Sequence, residues 1–237
     1  MSILAEKCSR FGGKLLDTLL PQECLLCSAA SGSALLCDDC LRELPCLPQA
    51  LCPRCGVPSP TGETCGRCQR HPPHFDALVA ALPYAFPIDR MLQHFKYGHQ
   101  LSLAAWFGEQ LAAAATRLQA DMIIPLPLHP RRMAERGFNQ AIEIARPLAR
   151  RLQLPLNTDL CERTRETAAQ EGLTLLQRRR NLRNAFACCS DLSGRRILLV
   201  DDVITTGASV GECARALKLH GAAHVTVVAA ARTLPRN

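Results

Sequence analysis

Eight of the 14 cysteines are spaced for chemistry. Cys24 and Cys27 stand two residues apart, nine residues follow, and Cys37 and Cys40 repeat the pair. The whole pattern recurs 28 residues later at Cys52, Cys55, Cys65 and Cys68. Two residues between thiolates let a tight knuckle aim both sulfurs at one ion. Two knuckles complete a tetrahedral four-thiolate site, the closed arrangement of structural zinc. The spacing therefore predicts two Zn2+ ions, with an iron–sulfur site or redox dithiols as the alternatives. Pairing is open: sequential within each unit is simpler, and interleaved pairing is the alternative. Gly56 and Gly66 each follow a ligand, where a knuckle favours positive φ. The segment is too short and polar to bury a core, so metal must supply much of its folding free energy. Cys8, Cys46, Cys161, Cys188, Cys189 and Cys213 lack such spacing and read as small hydrophobes.

A second constellation lies at residues 197–209, ILLVDDVITTGAS. Four apolar residues drive a strand to its C-terminal edge, where Asp201 and Asp202 emerge. Ligands of open α/β sheets bind at that edge. Val203 and Ile204 lead into a small-residue loop, Thr205, Thr206, Gly207, Ala208 and Ser209, that opens a helix. Unpaired backbone N–H groups and the positive helix end suit a phosphate monoester. Carboxylates accept hydrogen bonds from vicinal hydroxyls. Phosphate loop and diol acceptors, about one sugar apart, describe a ribose 5-phosphate pocket. A receiver domain has its aspartates near the first strand and lacks the Thr-Thr-Gly loop. The GxxxxGK motif of nucleoside triphosphatases is absent.

The elements that must position these residues follow from periodicity. Residues 77–84, 122–124, 196–200 and 224–231 read as strands. Residues 88–97, 101–119, 138–152, 173–182 and 207–220 read as helices, and Leu15, Leu16, Leu19 and Leu20 could line a short one. This alternation predicts an α/β fold, a mostly parallel sheet with helices on both faces. A small cysteine-rich segment, residues 1–74, precedes the α/β domain, residues 75–237. At 48% hydrophobic and 21% charged residues over 237 positions the chain is not a disordered one. No stretch has the roughly 18 apolar residues of a membrane span. Glu6, Lys7 and Arg10 interrupt any secretory core. A cytoplasmic location is expected, where cysteines stay reduced.

These motifs together resemble the type I phosphoribosyltransferases, whose signature for phosphoribosyl diphosphate matches residues 197–209. Three further segments accompany it: the doubled cysteine unit, Phe95-Lys96-Tyr97, and PLPLHPRRMAERGFNQA at residues 125–141. With them the chain resembles the ComF family of competence-associated proteins, GntX-type members included, over residues 15–233. The resemblance implies a type I phosphoribosyltransferase-like fold behind an N-terminal double zinc ribbon. It implies phosphoribosyl diphosphate with Mg2+ as ligand, the metal held mainly through substrate and water. Asp201 and Asp202 would take the catalytic ribose position. Leu128 and His129 resemble the diphosphate loop, with Arg131, Arg132 and Arg136 beside it, and Lys96 is a further candidate contact. Residues 163–170, including Arg163, Arg165 and Gln170, resemble the mobile loop that closes the site, with Arg178, Arg179 and Arg180 toward its far end. No room remains for a C-terminal hood, so the cysteine segment and residues 76–120 would recognise an acceptor.

The implied role is a cytoplasmic one in DNA uptake and utilisation, with DNA-uptake proteins as partners. A non-catalytic phosphoribosyl-diphosphate sensor or single-stranded-DNA adaptor on the same fold is the alternative. The net charge is +7, and residues 129–183 alone carry 12 Arg against 6 acids. Residues 1–75 are neutral, with 7 of each sign. Any single-stranded DNA should therefore bind the basic segment through phosphate contacts.

Overall fold

Nine residues, Arg196–Ile204, form the strand that carries the candidate site, and six of them are buried. The computed structural model describes residues 22–98, 100–165 and 183–235. The leucines at 15–20, the expected helix at 173–182, Cys8, Gln170, Arg178, Arg179 and Arg180 lie outside the described residues. The chain divides into two compact units, Met1–Pro45 and Cys46–Asn237.

In the first unit, β1 (Gln22–Glu23) pairs antiparallel with β2 (Ala30–Gly32), and α1 (Asp38–Arg42) starts directly after Cys37. The second unit begins with the same device, since α2 (Gly66–Arg70) starts directly after Cys65. The two short helices are thus offset by the 28 residues that separate the cysteine quartets. Gly56 has φ +65° as its knuckle requires. Gly66 does not; it is the first residue of α2, where helical φ suits any residue.

The elements of the second unit are, in order, β3 (Ala77–Pro83), α3 (Ile88–Tyr97), α4 (Ser102–Ala115), β4 (Met122–Pro125), α5 (Pro130–Arg136), α6 (Gln140–Leu152), β5 (Cys161–Arg163), β6 (Phe186–Cys188), β7 (Arg196–Ile204), α7 (Ala208–Leu219) and β8 (His224–Arg232). Among the described residues the main sheet has four strands in the order β3-β8-β7-β4, all parallel. Parallel strands need crossovers, and helices supply them. Being covered on both faces, β7 and β8 read as continuous apolar runs. Ile197, Leu199, Val225 and Val227 share a core with Val210, Cys213 and Leu217 of α7. The alternate residues Leu198, Val200 and Val228 are equally buried on the other face, against which α4 and α6 pack. Gly108 lets α4 and α6 approach, because a Cβ there would lie 2.2 Å from Pro147 Cγ.

The strand at 196–200 runs four residues further than periodicity indicated. Val203 and Ile204 keep their register with Ala231 and Arg232 of β8, so the ladder holds the chain extended through both aspartates. The helix expected over 101–119 stops at Ala115. Cys161, Cys188 and Cys213 are buried as expected, whereas Cys46 and Cys189 are exposed.

Candidate functional site

Because β7 continues through them, Asp201 and Asp202 alternate across the sheet. Asp201 lies on the α7 side with Ile197 and Leu199. Asp202 lies on the other side with Leu198 and Val200. Its carboxylate is 2.8 Å from Lys96 Nζ, at the end of α3, and accepts the Val203 N–H at 2.7 Å. Burial works against the Asp202 anion, but the Lys96 ammonium outweighs it and holds the carboxyl below its usual range. Asp201 has the opposite balance. Burial and then the charge of Asp202 push its carboxyl well above the usual range, against the Asp202 N–H donated at 2.9 Å. One strand end thus carries an ion pair on one face and a carboxyl of raised pKa on the other.

The chain leaves β7 into residues 205–209. Gly207, at φ +78°, caps α7 in the left-handed region, and Thr206 Oγ1 accepts the Ala208 N–H at 3.3 Å. A small cleft runs from Asp201 past Val203 to Thr205, Thr206, Gly207, Ala208 and Ser209. Ile204 is 2% exposed, so its side chain belongs to the core although its backbone turns the loop.

The segment after β4 reaches the same sheet edge, as the Leu126 N–H donates to Val200 O at 2.8 Å. Leu128 and His129 follow, and His129 Nδ1 caps α5 by accepting the Arg131 N–H at 3.3 Å. Arg131 lies 3.3 Å from Glu135 on an exposed face. Gly137 ends α5 at φ +74°. Asn139, 7% exposed, caps α6 and donates to Leu126 O at 3.0 Å, which fixes the loop to the helix. Arg136 stacks over Tyr97, 5.7 Å from the ring centroid, beside Lys96. Burial and then the like charge of Arg132 lower the pKa of Arg163, while Asp201 opposes them. These three side chains therefore share one region. Arg163 lies over Phe186 at 5.6 Å, and Arg165 donates to Arg183 O at 3.1 Å. The pairing of β5 with β6 brings both ends of the intervening segment together.

Arg232 had no place in the sequence reading. It is 2% exposed at the end of β8. Its guanidinium donates to the carbonyls of Cys55 (2.9 Å), Ile204 (2.8 Å), Thr233 (2.9 Å) and Thr205. A knuckle cysteine and the phosphate-loop entrance are thus held by one side chain. The available signal was an arginine ending an otherwise apolar strand, where a buried charge needs partners.

The cysteines assemble in sequential quartets, Cys24/Cys27/Cys37/Cys40 and Cys52/Cys55/Cys65/Cys68, with all sulfurs of each within 4.8 Å. A tetrahedron with ~2.3 Å metal–sulfur bonds has ~3.8 Å edges. The Cys27–Cys37 and Cys55–Cys65 sulfurs stand 3.7 and 3.8 Å apart. Both quartets fit structural zinc. Burial opposes ionisation of Cys24, but backbone hydrogen bonds from Cys37, Leu26 and Cys27 prevail and bring its pKa to about 6. Knuckle amides thus stabilise thiolate before any metal binds.

Residues 15–69 match the double zinc ribbon domain and residues 139–235 the phosphoribosyl transferase domain. The DNA utilization protein YhgH of Escherichia coli O157:H7 is 38% identical, over 91% of this chain and 99% of that protein. The chain belongs to the ComF family. Competence protein F of Haemophilus influenzae is 31% identical over 83% of this chain and 90% of its own. Competence protein ComFC of Bacillus subtilis is 26% identical over 79% and 80%. The phosphoribosyl transferase match contains β7, its loop, α7 and β8. Among the described residues, no helix of this ComF protein is long and apolar enough to cross a membrane.

Two outcomes follow. Asp201 is half-buried with its carboxyl pKa raised, so its ionisation above the unfolded-state value of about 4 favours unfolding. Asp201→Asn should raise the thermal midpoint at about pH 8, with the gain shrinking toward about pH 5. A gain that grows on acidification would contradict the assignment. Elemental analysis should give two zinc ions per chain, one for each quartet. Cys52→Ser should leave one and lower the thermal midpoint, whereas bound iron or an unchanged zinc content would contradict the site.

Proposed function

We propose that this ComF protein binds phosphoribosyl diphosphate at the end of β7. The observation that carries the reading is the cleft joining Asp201 to the Gly207 turn. A phosphate needs convergent N–H donors at the start of a helix, and residues 205–209 supply that position above α7. The ribose hydroxyls need acceptors one sugar away, which Asp201 and Asp202 supply. Leu128, His129, Arg131 and Arg132 stand at the neighbouring strand end, where the diphosphate would lie. Lys96, 2.8 Å from Asp202, would share its charge between that carboxylate and the diphosphate.

Asp202 is already neutralised by Lys96, so the donor set for Mg2+ at this edge is the Asp201 carboxylate and the oxygens of the substrate. That set fits a magnesium ion carried mainly by diphosphate and water. Such an ion supplies charge neutralisation to departing pyrophosphate. Transfer would break the bond from ribose C1 to the diphosphate oxygen and form one to an acceptor nucleophile. Arg163, Arg165 and Gln170 belong to the segment assigned here to covering the site and excluding water from that carbon.

The relatives' names associate this family with competence and DNA utilisation, and we assign this chain a cytoplasmic role in the same processes, alongside DNA-uptake proteins. Single-stranded DNA would meet the basic face of residues 129–183, where Arg131, Arg146 and Arg151 are more than half exposed.

Calorimetry tests the first part. The wild type should bind phosphoribosyl diphosphate with Mg2+, and the double variant Asp201→Asn, Asp202→Asn should lose binding while retaining its zinc and its circular-dichroism spectrum. Unchanged affinity would remove the carboxylates from the pocket. Pyrophosphate release with a panel of bases then separates a transferase from a sensor. For DNA, filter binding should weaken with salt, by about 0.7 in log–log slope per phosphate contact. Replacing Arg178, Arg179 and Arg180 should flatten that slope. Salt-insensitive binding would contradict an interface made of phosphate contacts.

A further inference from the structure

A second cavity, larger than the cleft at Asp201, opens on the other side of the loop. It measures about 430 Å³ and lies between the second cysteine quartet and α7. One wall is made by Thr206, Gly207 and Ala208, the same loop seen from its other side. We propose that this cavity is a second binding site, for a nucleoside phosphate, back to back with the phosphate loop. The inference stands independently of phosphoribosyl diphosphate binding.

Charge argues for a phosphate. Arg67, Arg183 and Arg215, with His71 and His74, surround the cavity, and Glu212 is its one carboxylate. Glu212 is already engaged, 2.7 Å from Arg215 and accepting the Asn184 N–H at 2.7 Å. Arg232 is occupied by the backbone carbonyls of Cys55, Ile204 and Thr233. Arg67 and Arg183 pair with no carboxylate among the described residues, and both are exposed at the rim. Their positive field converges on a concave surface, where low-dielectric walls focus it toward an anion.

Shape argues for a planar ring. Phe75 is 3% exposed and lies against Gly207, the residue that caps α7, and Gly211 in its first turn. A Cβ at either glycine would stand 3.8 or 3.9 Å from the Phe75 ring. The ring and a flat helix face therefore form an apolar floor, continued by Leu78, Pro72 and Pro73. Apolar floor, cationic rim and a volume within the ~300–1,000 Å³ of small-ligand pockets suit one nucleotide.

Calorimetry on the zinc-loaded full chain decides this, with AMP, CMP, GMP and UMP, uridine and inorganic phosphate as probes. The double variant Asp201→Asn, Asp202→Asn removes the β7 cleft and should still bind at least one nucleotide with one-to-one stoichiometry. Arg67→Glu with Arg183→Glu should weaken that binding by at least about tenfold, since two charge-assisted contacts are replaced by repulsion. Those rim variants should leave zinc content and phosphoribosyl diphosphate affinity unchanged. Four silent nucleotides, or nucleotide binding lost with the aspartates and kept by the rim variant, would overturn the proposal. Inorganic phosphate binding as tightly as any nucleotide would remove the ring. Nucleotide binding without phosphoribosyl diphosphate binding would leave this site standing and the β7 reading fallen.

Discussion

The ladder between β7 and β8 is the constraint from which the site follows. Eight paired positions, from Arg196 with His224 to Ile204 with Arg232, keep both strands extended to the sheet edge. An extended chain alternates its side chains, so adjacent carboxylates must part. Asp202 then meets Lys96 and Asp201 meets the α7 side. The same ladder ends with Arg232 beside Ile204, where its guanidinium gathers the carbonyls of two loops. A buried guanidinium with unfilled donors is costly, so this geometry is held tightly. The second cysteine knuckle is therefore part of the α/β unit by hydrogen bonding as well as by sequence.

The electrostatics of the strand end have a functional sense. A carboxylate pair in a dry site cannot hold two charges without compensation, and a single lysine compensates one. Lys96 settles on Asp202, and Asp201 retains its proton more readily. A ligand that brings cations and hydroxyl donors to Asp201 would find an acceptor whose charged form has no ammonium partner of its own. The binding energy of such a ligand and the ionisation of Asp201 are then linked.

Much of this was legible in the residues. The 28-residue offset of the cysteines reappears as the offset of α1 and α2, because each helix starts directly after a ligand. The apolar runs at 196–200 and 224–231 became central strands because only strands covered on both faces tolerate such runs. The helix expected over 138–152 begins two residues later, at Gln140, because the Asn139 side chain caps it. Sequence reasoning stopped the site strand at Val200 because polar residues followed, and pairing with β8 overrode that local signal. Lys96 was assigned to the diphosphate alone, since nothing local says that α3 ends over β7. Arg232 and the cavity at Phe75 depend on contacts between residues far apart in the chain, such as Cys55 with Arg232 and Phe75 with Gly207. Periodicity carries no such information.

The most direct measurement is a structure of the protein with phosphoribosyl diphosphate and Mg2+. The account predicts the 5-phosphate on the amides of residues 205–209, the ribose hydroxyls at Asp201 and Asp202, and the diphosphate toward His129 and Lys96. A ribose distant from both aspartates, or a 5-phosphate seated away from the Gly207 turn, would contradict it.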